Sequence, residues 1–195
     1  DVHSPAVERL ARQVRRLADH CPVLMLQGTF SHEPPGTLAI FRLLGGRYGV
    51  HVADRIGQVA LRQDRTWLGS RGWRFDGAQD LLPEGARVMF TCVPTVNKAM
   101  VAASVGAADA GVALGQELAT LLAGFAATNR AAREALVPTV GVSHGTVTGC
   151  IIERDVLMAG FDHEFTAGAL FSCIGSFEYT HSPLTNSASF EPSRS

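Results

Sequence analysis

A chain of 195 residues, 46% hydrophobic and 18% charged, holds one domain with a real core rather than two, and that composition excludes a disordered chain. Lys plus Arg at 17 against Asp plus Glu at 18 leaves a net charge of -1, which excludes a global basic field. Any nucleic-acid contact must then be local, or supplied by metal ions and a partner, and no apolar run reaches the length of a membrane span.

The chain opens on Asp1, with neither an initiator Met nor a basic stretch leading into an apolar one, and so reads as a fragment. Residues 4 to 19 carry Val7, Leu10, Ala11, Val14, Leu17 and Ala18 at helical spacing, with Arg9, Arg12, Arg15 and Arg16 largely elsewhere. Ser4 and Pro5 suit the cap and first turn of that helix. Pro22 to Gln27 (P-V-L-M-L-Q) then reads as a buried parallel strand, leaving through a polar loop, 28 to 37, that contains Pro34-Pro35-Gly36.

Residues 38 to 44 suggest a short helix, and 49 to 69 two or three short strands punctuated by Gly57 and Asp64. Arg87 to Val93 is a further buried strand, ended by Pro94. Leu114, Leu118, Leu121, Leu122 and Phe125 form a core stripe that predicts a long helix over roughly 110 to 135. Val137 to Ser143 returns as a strand stopped by His144-Gly145, and Val147 to Glu153 is β-rich. From Ser182 to Ser195 the composition is that of a loose polar tail. Helices alternating with apolar strands predict an α/β layered fold for residues 1 to 181. Cys21, Cys92, Cys150 and Cys173 form no C-x-x-C pair. Buried free thiols in a reducing, cytoplasmic compartment are the expectation.

The candidate chemistry lies where strands run out. In V-S-H-G-T-V-T (Val142 to Thr148), Gly145 lets the backbone bend beside the His144 imidazole, and a neutral imidazole is the commonest transition-metal ligand. The plain alternative is a histidine satisfied by backbone hydrogen bonds. His32, in Gly28-Thr29-Phe30-Ser31-His32-Glu33, could stabilise developing charge or protonate a leaving oxygen, or could simply be solvated. Asp1 has two oxygens with which to bridge cations, or is a polar terminal residue.

Taken in order, Asp1, one helix, one strand, the Gly28 to Glu33 block, Val142 to Val147 and Asp162-His163-Glu164-Phe165-Thr166 resemble the calcineurin-like metallophosphoesterases. The branch they resemble most is that of SbcD-type DNA-repair exonuclease subunits and their phage relatives, over roughly residues 1 to 172. The resemblance implies a metallophosphoesterase-type αββα sandwich and hydrolysis of DNA phosphodiester bonds, exonucleolytic or endonucleolytic, with two divalent metal ions, preferably manganese. It also implies an SbcC-like coiled-coil ATPase partner, with a homodimer possible.

Carried over by resemblance, Asp1 is the bridging carboxylate, His32 the catalytic histidine and His144 a metal ligand. Ser31 takes the place of an amide ligand, with Thr29 as an alternative, and His181 takes the place of one ligand of a closing Gly-His-x-His block. Asp1-Val2-His3 could instead be the family's opening Asp-x-His. With Asp1 as the bridge, the first strand and its Asp-x-His are missing, and the expected domain is incomplete at both ends. His163 is expected to be structural or to support a ligand rather than to be one.

Two other functions fit parts of the chain. Gly141-Val142-Ser143-His144-Gly145 matches G-x-S-x-G, the nucleophile elbow of serine esterases, with Asp155 or Asp162 and His163 or His181 following in order. That elbow needs a helix after it, where residues 146 to 152 are β-branched and broken by Gly149. The other is a non-catalytic phosphoesterase-like scaffold that binds DNA or a partner.

Overall fold

The computed structural model describes residues 4–28, 36–44, 46–71, 74–75, 82–95, 110–147, 151–152, 156–157 and 164–165. Helix α1 (Pro5–Ala18) begins where Ser4 caps it, its Oγ accepting from the Ala6 N–H at 3.3 Å, with Pro5 in the first turn. Of its apolar stripe, Val14 and Ala18 are buried while Leu10 and Leu17 stand exposed. The buried seam is therefore narrower than the spacing predicts, running through Val14 and Ala18.

That sheet pairs β1 (Val23–Leu26) in parallel with β2 (Val50–Ala53), Val23 opposite Val50 and Leu26 opposite Ala53. Between them runs a 3-10 helix, Ala39–Leu43, that buries Phe41. Alternation sorts the strand side chains. Val23, Met25, Val50 and Val52 pack against α1 and the 3-10 helix with Val14, Ala18, Leu38 and Phe41. Leu24, Leu26 and Ala53 face the other way, onto Val59, Trp67, Phe90 and Cys92.

Those last residues belong to a five-stranded mixed sheet. Its strands are β3 (Gly57–Arg62), β4 (Trp67–Arg71), β5 (Arg74–Phe75), β6 (Ala86–Val93) and β7 (Thr139–Ser143), in the order β5-β4-β3-β6-β7. β3 is antiparallel to β4 and β6, whereas β6 and β7 run parallel. The far face of this sheet packs Ala60, Phe75 and Met89 against Ala132 of α2 (Ala110–Glu134). Each of the three apolar clusters separates two layers, so helix, sheet, sheet and helix succeed one another across the described residues.

A polar group interrupts the sheet–α2 interface. Gln58 Nε2 donates to Thr91 Oγ1 at 3.2 Å and to Asn129 Oδ1 at 2.9 Å, and Asn129 Nδ2 donates to Thr91 Oγ1 at 3.2 Å. Three elements are thereby pinned in one register, since a buried amide left without these bonds costs about 1–3 kcal/mol. Leu118, Leu122 and Phe125 of the predicted stripe are buried on α2. The helix ends with Leu136 in the left-handed region at φ 57, and the Val137 N–H reaches back to Ala132 O at 2.8 Å.

Short strands follow: β8 (Thr146–Val147), β9 (Ile151–Ile152), β10 (Val156–Leu157) and β11 (Glu164–Phe165). β5, β10 and β11 escape sequence periodicity, as two residues carry no period. Cys92 is buried and free, and desolvation pushes its thiol up to about 12. Cys21 is free but exposed, contrary to expectation, because it lies in the turn after α1 rather than in a strand. No helix among the described residues is long and apolar enough to cross a membrane.

Candidate strand-end site

The two parallel pairs end at one edge. The Gln27 N–H extends the β1–β2 ladder by donating to Ala53 O at 3.0 Å, and the carbonyl of Gln27 accepts from the Thr95 N–H at 3.4 Å, just past the end of β6. The His144 N–H donates to Val93 O at 2.9 Å, just past the end of β7. Gln27 and Gly28, Asp54, Thr95, Ser143 and His144 therefore gather where β1, β2, β6 and β7 give out. Loop 28–37 starts from this edge. In α/β sheets the carboxyl ends of parallel strands are where ligands bind, as side chains and free backbone groups converge there without being consumed by the ladder.

His144 is half-buried. It stands on the sequence side of a sharp change in pairing: β7 pairs with β6, but β8, two residues further on, pairs in parallel with β11, Thr146 opposite Glu164 and Val147 opposite Phe165. Two segments that the sequence singled out separately, the V-S-H-G-T-V run and Glu164-Phe165, are thus neighbours in space. A strand also occupies the place where a nucleophile elbow requires a helix.

Ser143 is the last residue of β7 and only 4% exposed. Its register partner is Val93, so it shares a face with Thr91 and Met89, toward α2. Its hydroxyl finds no hydrogen-bond partner among the described residues, and neither does the buried hydroxyl of Thr95. A buried hydroxyl in that state costs about 1–3 kcal/mol unless a water or ligand meets it.

Asp54 supplies a carboxylate to the same edge, which sequence reasoning missed. Arg42 holds it through a 2.8 Å ion pair and also donates to Val52 O at 2.9 Å. An aspartate directly after a strand was the available signal, but its arginine partner comes from the 3-10 helix and no local pattern announces it. Nearby on β2, His51 packs against Trp67 with ring centroids 5.9 Å apart. Burial lowers the His51 pKa below the ordinary value, Arg42 lowers it further, and Asp54 opposes both.

Among the described residues no group of three His, Cys, Asp or Glu side chains is placed to hold a metal ion. His144 suits a divalent transition metal as an imidazole donor and is the one predicted ligand the described residues contain. Asp1, Ser31, His32 and His181 lie outside the described residues, as do Thr29, Asp155, Asp162, His163, Cys150 and Cys173. No family model matches the chain, and no curated protein or solved structure matches it.

Proposed function

We propose that the chain carries a metal-dependent phosphodiesterase site of the calcineurin-like kind, acting on DNA. The observation that supports this reading is the shared edge. The His144-Gly145 step leaves it from β7 and the Gly28 loop leaves it from β1, joined beneath by the bond from Thr95 to Gln27. The reading extends the helix–sheet–sheet–helix order to a metallophosphoesterase-type αββα sandwich. It brings with it manganese as the favoured ion, an SbcC-like ATPase as partner, a possible homodimer and a cytoplasmic setting.

In this reading His144, with Asp1 and Ser31 or Thr29, would hold two divalent ions, and His181 is a further donor. Such ions polarise phosphoryl oxygens and stabilise the charge that develops on them. His32 would stand by the departing oxygen and deliver a proton to it. Gly145, lacking a side chain, would leave room beside the imidazole for a phosphate. Asp54, engaged by Arg42, is a positioning group for the end of β2 rather than a ligand.

The test is cleavage of bis(p-nitrophenyl) phosphate and of a DNA duplex with and without added Mn, together with a metal titration by calorimetry. Mn-dependent cleavage that a chelator abolishes and that is lost in His144→Ala supports the proposal. Absence of both metal uptake and cleavage would leave the scaffold reading in its place. Chelator-insensitive hydrolysis with phosphonate labelling of Ser143 would replace it with the serine esterase.

A further inference from the structure

We propose that Arg47, Tyr48 and Arg65 form a clamp for the phosphates of a nucleic-acid backbone, at the edge of the sheets opposite His144. The charges of the chain nearly cancel, yet they are unevenly distributed. Between residues 4 and 71 the described segments hold ten arginines and four carboxylates. Each carboxylate is already engaged: Glu8 by Arg12, Asp19 by Arg15 at 3.5 Å, Asp54 by Arg42 at 2.8 Å and Asp64 by Arg62 at 3.9 Å. Arg9, Arg16, Arg47 and Arg65 have no carboxylate partner among the described residues.

Two of these four are brought to one ring. The guanidinium carbon of Arg47 lies 5.4 Å, and that of Arg65 5.1 Å, from the centroid of Tyr48, and Arg65 also donates to the Tyr48 hydroxyl. The ring is anchored from below. The Tyr48 N–H donates to Ala18 O at 2.8 Å, and the Arg47 N–H to Asp19 Oδ1 at 3.3 Å, so both are tied to the end of α1. Asp64, the nearest carboxylate in sequence to Arg65, turns into its own hairpin, where Thr66 donates to it from N at 3.0 Å and from Oγ1 at 2.6 Å.

Arg65 sits at φ 67, in the left-handed region that favours glycine, in the turn between β3 and β4. An arginine there is strained, and the turn itself gains nothing from it. What its side chain gains is the Tyr48 ring, which Arg47 also reaches. Two guanidiniums held at one aromatic ring, with no carboxylate partner among the described residues, concentrate positive charge that an anion relieves. The guanidinium fork matches phosphate oxygens. Neighbouring phosphates along a nucleic-acid strand supply several such anions at once.

The identity of the ligand rests on the proposed DNA substrate, but the clamp lies at the far end of β2 from His144 and is tested without metal. Binding of a short fluorescein-labelled DNA duplex is followed by anisotropy in EDTA across a salt series, for the full chain and for Arg47→Ala/Arg65→Gly. Glycine suits the left-handed turn, so the thermal midpoint of Arg65→Gly alone is expected to hold or rise, which separates lost binding from lost folding. In the double variant the affinity is expected to fall about tenfold or more, and the slope of log K against log salt to become shallower by about 0.9 for each phosphate contact removed.

Equal affinity and slope in the two proteins would overturn the clamp. So would binding to phosphatidylserine vesicles with none to the duplex. Intact duplex binding in a chain that cleaves nothing with Mn would leave the clamp standing and remove the phosphodiesterase. Mn-dependent cleavage with unchanged binding by the double variant would do the reverse.

Discussion

The His144 N–H donates to the carbonyl of Val93 at 2.9 Å, so the histidine leaves β7 level with the end of β6. Thr95, two residues beyond Val93, is in turn bonded to Gln27 at the end of β1. Through these two bonds a histidine late in the chain and a loop near its start come to share one edge.

Replacing either residue of the Ser143-His144 step separates the competing chemistries. His144→Ala is expected to lower Mn-dependent phosphodiester cleavage by about 100-fold or more, while a half-buried strand-end side chain leaves the fold within about 1 kcal/mol. Ser143→Ala removes a buried hydroxyl that has no hydrogen-bond partner among the described residues and is expected to be neutral or stabilising by about 1 kcal/mol. Cleavage should survive that second change. Its loss in a stably folded Ser143→Ala protein, read alongside a denaturant melt, would point to serine chemistry.

The Gln58–Thr91–Asn129 group predicts strong coupling between distant positions. Asn129→Ala removes partners from both Gln58 and Thr91 and is expected to cost about 2–3 kcal/mol. Gln58→Ala should cost less when Asn129 is already gone. A double-mutant cycle by urea denaturation checks this, with a coupling energy of at least about 0.5 kcal/mol expected; additive losses would contradict it.

Leu136 is 90% exposed and holds φ 57 at the end of α2. Glycine removes the steric cost of that conformation, against which stands the greater freedom of glycine in the unfolded chain. Leu136→Gly is expected to raise stability by about 0.5–1 kcal/mol, seen as a higher thermal midpoint, whereas Leu136→Val should lower it.

His51 makes stability depend on pH in a stated direction. Burial, with Arg42 adding to it, lowers its pKa below the ordinary 6.5, so the unfolded chain takes up a proton at a higher pH than the native one. Stability from this group is therefore full above 6.5 and is lost as pH falls from 6.5 toward the depressed native value. Denaturation midpoints collected across that interval should fall with pH in the native sequence, and less steeply in His51→Gln.

Much of the framework was legible locally. The Ser4-Pro5 start of α1, the apolar runs of β1 and β6 and the stripe of Leu118, Leu122 and Phe125 appear where spacing predicts them, and the two or three strands expected between 49 and 69 are three, the last running on to Arg71. Leu10 and Leu17 fit the same spacing and are exposed, since a period reports which face a residue lies on but not how wide the neighbouring layer is. At the site, the strand before His144 and the β-rich sequence after it were readable, and Asp54 with its partner Arg42 was not. Arg42 and Asp54 meet across the 3-10 helix and β2, through packing that no local pattern encodes.

The sequence alone determined that a strand stops at His144 and that another strand, not a helix, follows it, because β-branched residues and glycine act within a few positions. Only the tertiary structure decided that β7 lies beside β6, that Thr95 reaches Gln27, and that Gln58 and Asn129, 71 residues apart, share a hydrogen bond. Such pairings are set by how whole layers bury their apolar faces against one another. Many sequences with the same local periods could satisfy that requirement in other arrangements.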